Sequence, residues 1–313
     1  MRQLSVDKFP VASVAFSPDG TTLASVALGR KRVSAVRLWS LAAEAVLSTH
    51  SFETAIQLPR LAFSPTGKSL AVAHGALHFI DLEEGKAKLL ANPKGLGYAH
   101  LTTCSFSSDG SQLIALGLKM RCWSVPALKE MAVPKFEIHK RAWHYARWNG
   151  LARCPKCVIV GMSDEPGSAS APLSWNINYL FFLNPGSSKP SRTIKWDAAK
   201  GVINSLAIDQ SGKLVAVASR TGTFVWQTEP QGLLAHIRHR PPGPPAVGFT
   251  PNGEYLVVLS RDEVQFYAVG HYDKPVKTLN WKVGKLLSLD ISPDGSMAAV
   301  GSEKGIIVLF DLE

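Results

Sequence analysis

Cysteine, acidic residues and long apolar runs are all scarce in this chain. Four cysteines in 313 residues are too few for a disulfide framework, so we expect a reducing compartment. Uninterrupted apolar stretches such as Tyr179–Leu183 have the length of a strand, far below the roughly 18–20 residues of a membrane-spanning helix. Met1–Pro10 is polar and charged and lacks the apolar segment of a secretion signal. These absences predict a cytoplasmic protein without a membrane span.

The short motifs of several enzyme classes are missing too. The chain has no Gly-x-Ser-x-Gly nucleophile elbow and no Gly-x-x-x-x-Gly-Lys-Ser/Thr phosphate loop. Acidic residues number 24 against 34 lysines and arginines, which gives a net charge of +10 and favours acidic or polyanionic partners. We therefore expect a protein that is not an enzyme and needs no cofactor.

One phrase is written six times with small changes, and we call each copy a turn phrase. The copies are Phe16-Ser17-Pro18-Asp19-Gly20, Phe63-Ser64-Pro65-Thr66-Gly67, Phe106-Ser107-Ser108-Asp109-Gly110, Ile208-Asp209-Gln210-Ser211-Gly212, Phe249-Thr250-Pro251-Asn252-Gly253 and Ile291-Ser292-Pro293-Asp294-Gly295. Pro and Asp favour tight turns, Gly accepts positive φ, and the flanking residues alternate with a period of two. Each copy therefore predicts a β-hairpin, and a third strand follows each one.

The spacing of the turn glycines counts the repeats. The intervals are 47, 43, 102, 41 and 42 residues, and four of them match a unit of four short strands. The long interval leaves room for one unit that has lost its phrase, with strands at Trp143–Trp148, Cys157–Met162 and Asn178–Leu183. The chain thus predicts an all-β, seven-bladed β-propeller in a single domain, expected to be monomeric.

Blade boundaries follow from this count. We expect blades at about residues 11–50, 57–91, 101–136, 143–195, 202–236, 246–279 and 286–313. The last blade lacks an outer strand, and the spare alternating segment 2–6 is predicted to supply it and close the ring.

The chain resembles the WD-repeat β-propellers. The residues that carry the resemblance are the turn phrases and the third-strand endings Leu38-Trp39-Ser40, Cys122-Trp123-Ser124, Ile80-Asp81 and Phe310-Asp311. The resemblance spans essentially the whole chain and implies a scaffold that binds other proteins. Full Trp-Asp endings are missing, and the Gly-His of the family is echoed only by Tyr98-Ala99-His100. We therefore expect apolar packing to replace the Asp–His–Ser–Trp network of the family in most blades.

A basic rim is the candidate binding surface. In propellers of this type, the loops between second and third strands share one face with the blade-to-blade connections. The candidate rim residues are Arg30, Lys31, Arg32, Lys119, Arg121, Lys140, Arg141, Arg220, Arg240, Arg261 and Lys285. A positive rim favours an acidic protein segment or a phosphate group, and nucleic acid less, since few aromatic residues in these loops could stack on bases. The alternative is a solvated basic face without a ligand.

A second candidate is a metal site. His139, His144, Cys154 and Cys157 follow the spacing H-x4-H-x9-C-x2-C and could supply four tetrahedral zinc ligands. The order is inverted from the common zinc finger, and Cys157 opens a predicted strand, where a small buried residue is the simpler interpretation. We expect no metal here.

Two other functions remain open. One is a propeller enzyme of the hydrolase or lactonase type, which would need His, Asp or Glu converging on the central channel. The predicted first strands offer mainly Val, Ala, Leu and Ser. The other is a membrane-anchored exchange factor for a small GTPase on a similar divergent propeller, which would want a Gly-rich loop where this chain has Leu28-Gly29-Arg30-Lys31-Arg32.

Overall fold

The chain folds into seven antiparallel sheets of four strands each. The computed structural model describes residues 1–6, 8–29, 33–53, 58–91, 101–117, 119–136, 146–153, 157–164, 177–184, 187–197, 203–219, 221–238 and 246–312. Within these ranges all regular structure is β, and none of them contains a helix long and apolar enough to cross a membrane. The all-β, seven-bladed propeller predicted from the sequence is confirmed.

Each blade contributes one strand to each of four concentric positions. The innermost strands are β2 (Val11–Phe16), β6 (Arg60–Phe63), β10 (Thr103–Phe106), β14 (Ala146–Arg153), β18 (Ile203–Ile208), β22 (Val247–Phe249) and β26 (Leu286–Ile291). The second strands are β3 (Thr22–Leu28), β7 (Ser69–Ala73), β11 (Gln112–Leu116), β15 (Val158–Asp164), β19 (Leu214–Ser219), β23 (Tyr255–Ser260) and β27 (Met297–Ser302).

The third and outer strands complete the blades. The third strands are β4 (Val33–Ser40), β8 (Leu77–Asp81), β12 (Arg121–Ser124), β16 (Ile177–Leu183), β20 (Gly222–Gln227), β24 (Glu263–Ala268) and β28 (Ile306–Asp311). The outer strands are β5 (Ala45–Glu53), β9 (Lys86–Ala91), β13 (Glu130–Met131), β17 (Arg192–Asp197), β21 (Gly232–Ile237), β25 (Lys277–Leu279) and β1 (Arg2–Ser5).

The turn phrases form tight turns between first and second strands. All six phrase glycines have positive φ, between 71° at Gly20 and 76° at Gly295. In the first turn Ser17 Oγ donates to Asp19 Oδ1 at 2.5 Å and accepts from the Thr22 N–H at 2.9 Å. A β-carbon at Gly67 would lie 3.6 Å from Pro18 Cδ, so the turns of neighbouring blades touch. The phrase therefore builds each hairpin and also joins it to the next.

The ring closes through the N-terminal strand. The innermost strands contact one another in chain order, and β26 of the last blade contacts β2 of the first. Strand β1 pairs antiparallel with β28, with Leu4 opposite Ile307. This pairing supplies the outer strand that the last blade lacked, as the sequence predicted, and it covers the edge of β28.

The core lies between the blades. Each cluster of buried apolar side chains joins two neighbouring sheets, for example Leu4, Val11 and Ile307 between the last and first blades. Within the described residues, one blade keeps a buried Ser–Trp hydrogen bond like that of the family network. It is the first blade, where Trp39 Nε1 donates to Ser25 Oγ at 2.8 Å. The described interfaces between blades are mainly apolar, with a few polar contacts such as the hydrogen bond from the Ile203 N–H to Ser163 Oγ at 3.0 Å.

The fourth blade departs from the strand limits expected from the sequence. Its first strand was expected at Trp143–Trp148; residues 146–148 lie in β14, but the strand continues to Arg153, so the predicted end is wrong. Arg153 pairs with Val158, and a bulge lies between Trp148 and Gly150. A β-carbon at Gly150 would lie 2.6 Å from Leu206 of the next blade, so a glycine is needed at that contact. The predicted second and third strands match β15 and β16 closely.

Candidate functional site

Antiparallel pairing gives the ring two different ends. The turn face carries the six turn phrases, and the loop face at the opposite end carries the second-to-third strand turns and the blade-to-blade connections. Of the predicted rim residues, the structure describes Lys119, Arg121, Arg261 and Lys285. The others, which lie outside the described residues, are Arg30, Lys31, Arg32, Lys140, Arg141, Arg220 and Arg240.

Two of the described rim residues lie together on the sixth and seventh blades. The Leu286 N–H donates to the Arg261 carbonyl at 2.7 Å, and the Glu303 N–H donates to the Lys285 carbonyl at 2.8 Å. These bonds hold three segments side by side: the β23–β24 turn, the connection between the blades and the β27–β28 turn.

Two further lysines join them at this point of the loop face. A methyl group at Gly284 would lie 3.2 Å from Lys304 Cε, so the Lys304 side chain packs over the connection. Lys282 lies in the same connection. The basic cluster, as we call it, consists of Arg261, Lys282, Lys285 and Lys304, and all four residues are exposed.

The acids beside the basic cluster are occupied by neutral donors. Glu303 Oε1 accepts from the Lys285 backbone N–H at 3.0 Å, and Asp262 Oδ2 accepts from Asn280 Nδ2 at 3.3 Å. Both acids are half-buried. Within the described parts of the chain, no side chain of the cluster has a carboxylate oxygen within 4.0 Å. The cluster therefore presents cations to solvent while its acidic neighbours bind the loop backbone and an amide.

Arg121 is placed differently, inside the third blade. Its guanidinium donates to both carboxylate oxygens of Glu130, at 2.8 and 2.7 Å, and lies 5.0 Å from the Trp123 ring centroid. These hydrogen bonds raise the pKa of Arg121 and lower that of Glu130. Arg121 is thus engaged by its own blade, whereas Lys119, just before β12, is exposed.

Of the four candidate zinc ligands, Cys157 lies within the described residues. Cys157 is buried in the apolar cluster that includes Ile159 and Phe182. His139, His144 and Cys154 lie outside the described residues. In the described part of the chain, no three His, Cys, Asp or Glu side chains are grouped so as to hold a metal ion.

The central channel holds charged residues that the sequence analysis did not single out. Pairing with the second strands aligns the innermost strands at four levels, counted towards the turn face. Arg60 aligns with Ser13, Thr103, Gly150, Ser205 and Ser288 at the first level. Asp290 aligns with Ala15, Ala62, Ser105, Ala152, Ala207 and Gly248 at the third. Arg153 aligns with Phe16, Phe63, Phe106, Ile208, Phe249 and Ile291 at the fourth.

Arg60 and Asp290 are half-buried, and Arg153 is exposed. Burial lowers the pKa of Arg60, and the nearby charge of Asp290 favours the charged form of Arg153. Burial raises the pKa of Asp290 to about 6, although hydrogen bonds from the Phe16 and Ile291 N–H groups favour its charged form. In the sequence, these three residues interrupt a pattern of small or apolar residues in the innermost strands. The interruption is visible only when those strands are aligned by their hairpins.

One repeat has a counterpart among known families. Residues 270–311 match the family described as WD domain, G-beta repeat. The matched segment runs from the end of the sixth blade through β28. No curated protein matches the chain. Together with the ring of seven four-stranded sheets, the matched repeat supports the predicted resemblance to the WD-repeat β-propellers.

Proposed function

We propose that the protein is a non-enzymatic scaffold, located in the cytoplasm, that binds an acidic or phosphate-bearing protein segment on the loop face. The observation that carries the proposal is the basic cluster of Arg261, Lys282, Lys285 and Lys304. WD-repeat propellers commonly serve as protein-interaction scaffolds, and binding residues on such rigid rings tend to lie in the connecting loops. The cluster adds the chemistry of the partner, because exposed cations attract carboxylates and phosphates.

The backbone of the cluster supports this assignment. Arg261 and Lys282 have φ values of 55° and 57°, a region in which glycine or asparagine is less strained. A non-glycine residue there costs of order 1 kcal/mol, so stability alone favours a smaller residue at both positions. Basic side chains at strained positions are consistent with selection for binding.

The experiment compares two variants with equal changes in net charge. In the rim variant Arg261, Lys282, Lys285 and Lys304 become Glu. In the control variant the exposed lysines Lys88, Lys129, Lys189 and Lys213, which lie outside the loop face, become Glu. The probes are fluorescein-labelled polyglutamate, a phosphoserine peptide and a polyglutamine peptide, measured by fluorescence anisotropy.

We expect the wild-type protein to bind the two anionic peptides and to bind polyglutamine much more weakly. The rim variant should lose at least about tenfold in affinity, and the control variant should stay near the wild type. Binding should weaken as salt rises from 50 to 300 mM, since exposed charges are screened. Equal losses in the two variants would mean that only net charge matters, and that result would overturn the assignment of the cluster.

The enzyme alternative has its own test. A hydrolase or lactonase would turn over members of an ester and lactone panel, and the wild-type protein is expected to leave the whole panel unchanged. Turnover of an ester or lactone that disappears on substitution of Asp290, the carboxyl group in the channel wall, would establish the enzyme hypothesis. It would contradict the scaffold proposal.

A further inference from the structure

The channel wall breaks its own repeat at three charged positions. Arg60, Asp290 and Arg153 replace small, hydroxyl-bearing or apolar residues that occupy the same levels in the other blades. The other blades show that the ring is built without charge at these levels. Arg60 and Asp290 are half-buried, and burying a charged group costs free energy unless it is paired, so these departures are not explained by the stability of the ring.

Arg60 is half-buried, and its guanidinium makes a single long hydrogen bond within the described residues. Nη1 of its guanidinium donates to the Ala12 carbonyl at 3.4 Å, a long hydrogen bond that uses one of five donors. Across the described residues, no carboxylate oxygen lies within 4.0 Å of this guanidinium. A desolvated guanidinium with spare donors matches an oxyanion, which accepts two parallel hydrogen bonds from it.

The three charged residues share one cavity. It has a volume of about 390 Å³ and is lined by Arg60, Arg153 and Asp290. Hydroxyl groups of Ser13, Thr103, Ser105 and Ser205 and the amide of Asn204 also line it. Pro18 and Pro293 of the turn phrases form part of the wall, so the cavity reaches the turn face, opposite the basic cluster. The volume lies in the range of small-molecule sites, roughly 300–1,000 Å³.

The charges define the chemistry of the occupant. Two guanidiniums and one carboxyl group line the cavity, so it carries an excess of positive charge. The hydroxyls and the amide around it suit a polar molecule rather than an apolar one. Asp290 offsets part of the positive charge and can accept a hydrogen bond from a hydroxyl group of the occupant.

We propose that the channel is a binding site for a small polar molecule that carries a phosphate or carboxylate group. Arg60 and Arg153 hold the oxyanion, and the serine and threonine hydroxyls of the first level add neutral donors. The site is distinct from the basic cluster, because none of the four residues of the cluster lines the cavity. Its occupant is a small molecule, whereas the loop face binds a protein segment.

The test is calorimetric titration of the purified full chain with sodium phosphate and with sodium malonate at constant ionic strength. The two anions distinguish a phosphate from a carboxylate occupant, and sodium chloride gives the baseline. Arg60→Ser installs the residue that the first, fifth and seventh blades carry at the same level, and Arg60→Gln is used if the serine variant does not fold. Asp290→Ala installs the commonest residue of its level. Lys285→Gln removes a cation of the basic cluster as a control.

We expect saturable one-to-one binding of at least one anion by the wild-type protein. The Arg60 variant should bind it at least about tenfold more weakly, since a charge-assisted bidentate contact is lost. Asp290→Ala should bind it more tightly, because the competing carboxylate is gone, and misfolding cannot mimic a gain. Lys285→Gln should leave the affinity unchanged. The proposal is overturned if neither anion saturates, if the Arg60 variant binds as well as the wild type, if Asp290→Ala shows no gain, or if Lys285→Gln loses as much as the Arg60 variant.

Discussion

Asp290 Oδ2 accepts a hydrogen bond of 2.7 Å from the backbone N–H of Phe16. This bond joins the innermost strand of the last blade to that of the first, at the point where the ring closes. It also places a half-buried carboxyl group in the wall of the central cavity. The same residue thus supports the closure and carries a cost, because its charged form is desolvated.

The substitution Asp290→Asn measures how much the desolvated carboxylate of Asp290 lowers the free energy of unfolding. The amide keeps an oxygen that can accept from Phe16 and loses the charge. Burial raises the pKa of Asp290 from 3.8 to about 6, so the folded protein binds this proton more tightly than the unfolded chain. The free energy of unfolding therefore falls as pH rises from about 4 to 6 and stays lower above that range. We expect Asp290→Asn to raise it by about 1–3 kcal/mol at pH 7.5 and to have little effect at pH 4.

Urea unfolding at both pH values measures this difference. Asp294→Asn is the matched control in the same blade. Asp294 is exposed, and its pKa is lowered by the Ser292 hydroxyl and the Ser296 N–H, so the substitution should not stabilise the protein at pH 7.5. A less stable Asp290→Asn protein at pH 7.5 would contradict the burial argument.

The turn phrases explain why the ring could be predicted from the sequence. A turn with Gly at positive φ has few alternatives, so Gly20 and its five counterparts located six hairpins before any packing was considered. The fourth blade has no phrase, so no turn in the sequence marks the end of its first strand, and β14 continues beyond Trp148 to Arg153. In that continuation Gly150 packs against Leu206 of the next blade, and a contact between distant residues is not visible in a local pattern.

The candidate sites were predictable to different degrees. Charge in the loops pointed to the loop face, and this reasoning named Arg261 and Lys285. It could not show that Glu303 and Asp262 bind neutral groups, because that depends on side-chain geometry. The sequence pattern did not distinguish Arg60 as a channel residue, because Arg60 begins a strand directly after Leu58-Pro59, where an exposed loop residue is expected.

A pair of stacked histidines in the second blade should make the free energy of unfolding depend on pH. His74 Nε2 and His78 Nδ1 are 2.7 Å apart, and the His78 ring lies 4.2 Å from that of Phe52. Burial, together with the charge of His74, lowers the pKa of His78 to about 4, and burial lowers that of His74. The unfolded chain takes up these protons near pH 6.5, so stability is fully present above 6.5 and is lost as pH falls towards 4.

Substitution His78→Gln tests this dependence, because glutamine keeps a hydrogen-bonding group and does not titrate. We expect a lower free energy of unfolding at pH 7.5 but a smaller decline between pH 7 and 4.5. The measurement is urea unfolding across that range, with the exposed His271→Gln as the baseline variant. Because wild type and variant share Asp290, its opposite contribution cancels in the comparison. An unchanged slope would show that the pair does not exclude protons.

The closing strand should contribute strongly to stability through one side chain. Leu4 is 5% exposed and packs with Val11 and Ile307 between the last and first blades. Leu4→Ala removes that contact and should lower the free energy of unfolding by about 2–4 kcal/mol. The neighbouring Gln3 is exposed, so Gln3→Ala should change it by no more than about 0.5 kcal/mol. Equal effects in urea unfolding would mean that the strand contributes only backbone pairing.

Two glycines differ in the space around them: Gly150 packs closely against the next blade, and Gly232 does not. A β-carbon at Gly150 would lie 2.6 Å from both Leu206 Cδ1 and Leu206 Cγ, whereas a β-carbon at Gly232 would meet nothing within 4 Å. Gly150→Ala should therefore lower the free energy of unfolding by about 1–3 kcal/mol, since the fourth and fifth blades must separate or Leu206 must change rotamer. Gly232→Ala should be neutral or slightly stabilising. Thermal and urea unfolding compare the two. A double variant, Gly150→Ala with Leu206→Ala, should lose less stability than the single effects added together, because the truncated side chain frees the space that the new methyl group needs.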